Sequence, residues 1–113
     1  MFNSKVVEEN FFDFFPKTIK KLVLPDDFNF KIEPGVLPTS LIYLDIGSDY
    51  DHEISQGVLP KNLKFLALSM NFTKKVYLDD CKNLVKIAVY SEYPYLEELD
   101  KIYGDKLEIY FDL

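Results

Sequence analysis

Apolar residues recur along this chain with a period of 22. Gly35-Val36-Leu37-Pro38 returns 22 residues later as Gly57-Val58-Leu59-Pro60. Behind each copy stands Leu-x-x-Leu-x-Ile/Leu: Leu41, Leu44 and Ile46 first, then Leu63, Leu66 and Leu68. Upstream, Phe15-Pro16-Lys17-Thr18-Ile19 takes the same slot and leads to Leu22 and Leu24; downstream, Leu84, Ile87 and Val89 follow at a spacing of 21. A second apolar pair marks the other half of each unit: Phe28 with Ile32, Tyr50 with Ile54, Phe72 with Val76. The last two residues of each triplet alternate with polar ones, so they lie on one face of a short strand. Leucines spaced this way at a period of 20–29 residues mark stacked coils, each burying its apolar face only against its neighbours. The pattern predicts a mainly β solenoid of stacked, parallel, short strands.

The whole chain, 1–113, reads as a single repeat domain. Residues 15–36, 37–58 and 59–80 are the repeats, 1–14 an N-terminal cap, and 81–113 a degenerate repeat with a C-terminal cap. Gly35 and Gly57 close their units at turns that need a permissive backbone, and Asp79 takes that slot in the third. Asp27, Asp49, Asn71 and Glu92 recur three residues after the triplets, where a side-chain acceptor can bond the turn amides. Five phenylalanines (Phe2, Phe11, Phe12, Phe14 and Phe15) need cover, which predicts a helical or irregular cap over 5–14. Leu96, Leu99, Ile102 and Tyr103 fall at helical spacing and predict a helix near 94–103, with Gly104 just past its end. Residues 106–111 alternate as a final strand, with Leu107, Ile109 and Phe111 inward.

Between the core positions lies the outward face of the strands. Its first row is Lys21, Tyr43, Phe65 and Lys86; its second is Val23, Asp45, Ala67 and Ala88; its third is Pro25, Gly47, Ser69 and Tyr90. Neighbouring aromatics flanked by lysines, beside a row of small residues, form a shallow amphipathic patch of the kind that contacts partners. Cross-strand packing between coils is the plainer reading of the same aromatics. The candidate partner-binding residues are Lys21, Tyr43, Asp45, Phe65, Lys86 and Tyr90.

Composition narrows the function classes. At 48% apolar, the chain has enough hydrophobic residues to fold rather than remain disordered. A net charge of −6 repels phosphate backbones and anionic lipid headgroups, which argues against nucleic acid or membrane as partner. One cysteine cannot form an internal disulfide, no apolar run is long enough for a span, and the N-terminus lacks a signal-like core. These features point to a soluble, intracellular, cytoplasmic protein.

Catalytic motifs are lacking. His52, the single histidine, lies between Asp51 and Glu53 without metal-ligand spacing. Cys81 falls in the slot of Leu37 and Leu59 and reads as a small core residue rather than a nucleophile. The carboxylates of Asp26-Asp27 and Asp49-x-Asp51 share a repeat slot and read as turn caps; a calcium loop would show ordered glycines. No cofactor or metal is expected, and the enzyme reading is poor.

Leu37-Pro38-Thr39-Ser40-Leu41, Leu44, Ile46-Gly47, Tyr50, Ile54 and Gly57-Val58-Leu59-Pro60, preceded by Phe28-Asn29-Phe30-Lys31-Ile32, resemble the FNIP repeat. This 22-residue relative of the leucine-rich repeats is known chiefly from social amoebae and from giant DNA viruses of amoebae. The resemblance is good over 15–80 and weaker beyond, and only Phe28-Asn29 keeps the name-giving pair. It implies a leucine-rich-repeat-like solenoid with a protein-interaction role and brings no catalytic residues. Some members carry an F-box, which is not expected in this chain. A non-catalytic module binding a protein through its strand face is the function expected. A self-associating structural protein is the alternative, with homo-oligomers, and a metal-binding or enzymatic protein is the lesser one.

Overall fold

The computed structural model describes Phe12 and residues 15–111. Five strands follow in chain order: β1 (Lys21–Val23), β2 (Tyr43–Asp45), β3 (Phe65–Ala67), β4 (Lys86–Tyr90) and β5 (Leu107–Tyr110). Helix α1 (Leu96–Tyr103) and a 3-10 turn (Gly104–Lys106) precede β5. All five strands lie in one parallel sheet in the order β1-β2-β3-β4-β5. This is the expected leucine-rich-repeat-like, mainly β solenoid.

Register follows the sequence period. Tyr43 lies opposite Lys21 and Phe65, and Phe65 opposite Lys86, reproducing the steps of 22, 22 and 21. One carbonyl per coil anchors the next: Lys20 O accepts from Ile42 N and Tyr43 N, Ile42 O from Lys64 N and Phe65 N, and Lys64 O from Val85 N and Lys86 N. Inward of the sheet, Leu41, Leu44, Ile46, Leu63 and Ile87 have no exposed surface. Each such side chain contributes about 1.5–3 kcal/mol by leaving water.

The opposite wall is a ladder of rings. Phe28, Tyr50, Phe72 and Tyr93 stack at centroid separations of 6.1, 6.4 and 5.7 Å, with interplanar angles of 9°, 19° and 20°. Phe12 meets Phe28 edge-on at 73°, and three rungs carry a ring two residues later edge-on to their own: Phe30 to Phe28 at 62°, His52 to Tyr50 at 64° and Tyr95 to Tyr93 at 66°. Both tyrosines of the ladder reach back to the preceding coil. The Tyr50 hydroxyl accepts the Ile32 N–H at 3.0 Å, and the Tyr93 hydroxyl donates to Lys74 O at 2.7 Å. Between these two junctions, the Tyr50 and Phe72 coils are joined through backbone instead, where Ile54 N donates to Lys75 O and Tyr77 N to Ile54 O.

Asn29 and Asp51 bond the backbone of the following coil. Asn29 Oδ1 accepts the Asp51 N–H at 2.9 Å, and Asp51 Oδ1 accepts the Thr73 N–H at 2.7 Å. The acceptor role expected of Asp27, Asp49, Asn71 and Glu92 therefore belongs two residues later. Asn71 acts as a donor, from Nδ2 to Ser48 O at 3.1 Å. The residue directly after the buried ring carries the acceptor for the next coil's amide, whereas Asn71, directly before its ring, bonds back to the preceding coil as a donor. Asp51 does the work of asparagine here, because only an acceptor is required.

The ends depart from expectation at Ile102, at Gly104 and in β5. The cap expected over 5–14 lies outside the described residues, Phe12 apart, which is buried. Helix α1 falls within 94–103 and buries Leu99, yet Ile102 is 71% exposed. Gly104 is right-handed (φ −51°, ψ −40°) and continues the helix into the 3-10 turn instead of reversing it. In β5, Val89 pairs with Ile109 as the inward pattern requires, but Ile109 and Phe111 are exposed, since no coil packs over β5 among the described residues.

Gly35 and Gly57 adopt φ of +86°, as their turns require, and Gly47 adopts +83°. Gly47 is also sterically enclosed: a Cβ there would lie 2.7 Å from the Pro25 carbonyl oxygen, whereas one at Gly35 meets nothing within 4 Å. Gly35→Ala should cost only the left-handed backbone penalty, about 1–2 kcal/mol. Gly47→Ala adds an overpacking cost of about 1–3 kcal/mol, so its denaturation midpoint in urea should be the lower of the two. Equal midpoints would show that the coils are not held at this separation.

Cys81 is buried, with Sγ 3.5 Å from Pro60 O. Burial, and then the Asp80 charge, push its thiol up to about 11. The unfolded thiol ionises near pH 8.5. The folded chain therefore keeps a proton that the unfolded chain loses, and stability present below about pH 8.5 is lost as pH rises towards about 11. The melting temperature should fall between pH 8.5 and 10, and Cys81→Ala should flatten that slope. An unchanged slope in the variant would overturn this assignment.

Candidate functional site

Alternation along strands of three to five residues turns every second side chain away from the core, and the register stacks these side chains in rows. Lys21, Tyr43, Phe65 and Lys86 form the first row. Val23, Asp45, Ala67 and Ala88 form the second, which continues onto Glu108 of β5. Of the third row, Tyr90 faces outward beside Tyr110, but Ser69 is buried and its hydroxyl donates to Tyr50 O at 3.0 Å. The turn after β3 rotates Ser69 towards the wall.

The predicted residues come together. Tyr43 and Phe65 pack at 6.2 Å with rings tilted by 37°, and Lys21 Nζ lies 4.6 Å from the Tyr43 centroid. Both rings are half-buried, since each covers the other. Tyr90 pairs with Tyr110 at 5.8 Å and 41°. Between the two ring pairs Ala67 and Ala88 leave a recess of about 360 Å³, with Asp45, Lys86 and Glu108 also in its lining.

Charges line the recess unequally. Lys86 Nζ lies 3.4 Å from Glu108 Oε2, and the Tyr110 hydroxyl donates to Glu108 Oε1. That hydrogen bond is the main cause lowering the Glu108 carboxyl pKa; partial desolvation opposes it, and Lys86 assists. The same bond raises the Tyr110 phenol, with smaller contributions from desolvation and from the charges of Glu108, Tyr90 and Tyr43. Asp45 Oδ1 accepts the Gly47 N–H at 2.9 Å, and Asp26 Oδ1 accepts from Ser48 at 3.1 Å. Neither Asp45 nor Asp26 has a cationic partner among the described residues.

Glu108 and Tyr110 were absent from the sequence-derived set. Alternation within 106–111 places both outward, which is the one signal for them. Their register with β4 is a step of 20, Ile87 to Leu107, that no repeat motif announces. A second recess, of about 230 Å³, lies beside α1 among Tyr77, Tyr95, Ile102 and Tyr103.

The remaining candidates are occupied structurally. His52 Nε2 donates to Asn29 O at 2.7 Å, its ring edge-on to Tyr50. Asp51 is engaged by Thr73, and Cys81 is buried in the core. Among the described residues no three His, Cys, Asp or Glu side chains gather as a metal group, and no helix is long and apolar enough to cross a membrane.

The repeat geometry has counterparts. CroV588, a giant-virus protein whose crystal structure is described as a novel circular LRR protein structure, superposes with a TM-score of 0.62 at 28% identity. The match covers 66% of this chain and 11% of that one, so this chain spans a small part of its neighbour's length. No curated protein matches the chain. The FNIP Repeat family matches twice, over residues 12–49 and 28–71, which together take in more than half of the 113 residues. Those spans hold the Phe28-Asn29 pair, the first rung of the ring ladder beside the first side-chain acceptor, and the chain belongs to the FNIP repeat family.

Proposed function

We propose that this chain is a non-catalytic interaction module that binds a protein partner through the strand face. The observation that carries the reading is the recess between the Tyr43–Phe65 and Tyr90–Tyr110 pairs. Half-buried aromatics around small residues supply contact area at low entropic cost, and such rings dominate binding energy where they enter interfaces. Repeat proteins of this architecture commonly serve in interactions, and their stacked coils offer an extended surface for it. His52, Asp51 and Cys81 are each bonded to a neighbouring coil, which supports a structural role for them over a nucleophile–base pair.

A second reading rests on β5. Its outer edge has no partner strand among the described residues, with Ile109 38% and Phe111 70% exposed, and an unpaired edge is a template for another chain. Self-association through that edge would show as a mass that rises with concentration.

Pull-down from a lysate of the source organism, comparing wild type with Tyr43→Ala/Phe65→Ala, tests the first reading. Circular dichroism should show an intact fold, since both rings lie outside the core. Loss of two central aromatics should weaken partner retention at least about tenfold. A partner held equally by both proteins would overturn the strand-face reading.

A further inference from the structure

Resting on the strand-face reading, we infer that the partner's contact segment is basic and seats an arginine or lysine side chain in the recess, over Ala67 and Ala88. Apart from Lys86, whose charge is paired with Glu108, the walls of the recess suit a cation. Tyr43 and Phe65 present ring surface on one flank and Tyr90 and Tyr110 on the other, and the negative faces of such rings attract ammonium and guanidinium groups. The strand face already holds one ammonium in this way, with Lys21 Nζ 4.6 Å from the Tyr43 centroid at the outer rim.

Asp45 supplies the countercharge. It lies in the row of the two alanines, adjacent to Ala67, and Glu108 closes the far end of that row. Three strand spacings, about 14 Å, separate the two carboxylates. Glu108 is already neutralised by Lys86 and bonded by Tyr110. Asp45 is not: Oδ1 is fixed by the Gly47 amide, and Oδ2 makes no bond among the described residues. A half-buried carboxylate held by one oxygen and open at the other is oriented before any partner arrives. An anionic occupant is disfavoured, because Lys86 is taken by Glu108, Lys21 lies over its own ring, and the chain carries a net charge of −6.

Selection from a displayed library of random 12-residue peptides tests this inference, with wild type as bait and Tyr43→Ala/Phe65→Ala for counter-selection. Selected peptides should be enriched in arginine or lysine at one position and should lose at least tenfold in affinity for Asp45→Asn. That variant retains an Oδ1 acceptor for the Gly47 amide, so its melting temperature should match wild type. Ala67→Leu, which fills the floor without touching the core, should abolish binding of the same peptides. Enriched peptides that are neutral or acidic, or basic ones that bind Asp45→Asn as tightly as wild type, would overturn the inference while leaving the strand face as the binding surface. No peptide surviving counter-selection would overturn both.

Discussion

Everything in this chain is subject to one pitch. Backbone hydrogen bonds between parallel strands hold successive coils about 4.8 Å apart, and all other groups that recur along the stack must meet at a compatible distance. Leucines do so easily, since branched aliphatics interlock at that separation. Rings have a narrower choice. They cannot lie face to face at the pitch without slipping sideways, and the observed 5.7–6.4 Å between centroids at small interplanar angles is that slip. The tyrosine hydroxyls then fall over the wall of the preceding coil, where Tyr50 and Tyr93 find Ile32 and Lys74.

The same pitch accounts for the polar side chains. Irregular wall segments leave amide donors unpaired between coils, and a buried or half-buried donor without a partner costs about 1–3 kcal/mol. Asn29 and Asp51 remove two such vacancies, His52 bonds back to Asn29 O, and Ser40 lies 2.6 Å from Ile19 O. Residues with a chemical reputation (the lone histidine, the paired aspartates, the single thiol) are absorbed into coil-to-coil bonding. The outward strand face adds only its cross-strand ring pairs and one ion pair to the stack, and it keeps Asp45 without a cationic partner among the described residues.

Much of this could be read from the residues. The apolar triplets and the repeated Gly-Val-Leu-Pro disclosed the parallel sheet and the register of β1 through β4. They also placed Tyr43, Phe65, Asp45 and Lys86 on a common face, because a period of 2 within a period of 22 leaves no freedom about which side chains share a row. The last coil was not legible in this way. Its steps shorten to 21 and then 20, so Tyr93 was not recognised as a rung, nor Glu108 and Tyr110 as neighbours of Tyr90. Pattern alone also could not choose between adjacent acidic slots. Which of Asp49 and Asp51 bonds the next coil depends on the turn's exit direction, a property of the folded backbone.

The flat rungs set how such a molecule changes length in evolution. A coil duplicated between Tyr50 and Phe72 would meet flat neighbours above and below. It would also bring its own edge-on ring with it, as Phe28 brings Phe30 and Tyr50 brings His52. Growth by internal duplication is therefore nearly cost-free to the wall. Beside Phe28, where Phe12 presents its rim to the stack, an inserted coil would require that ring to be displaced at the same time.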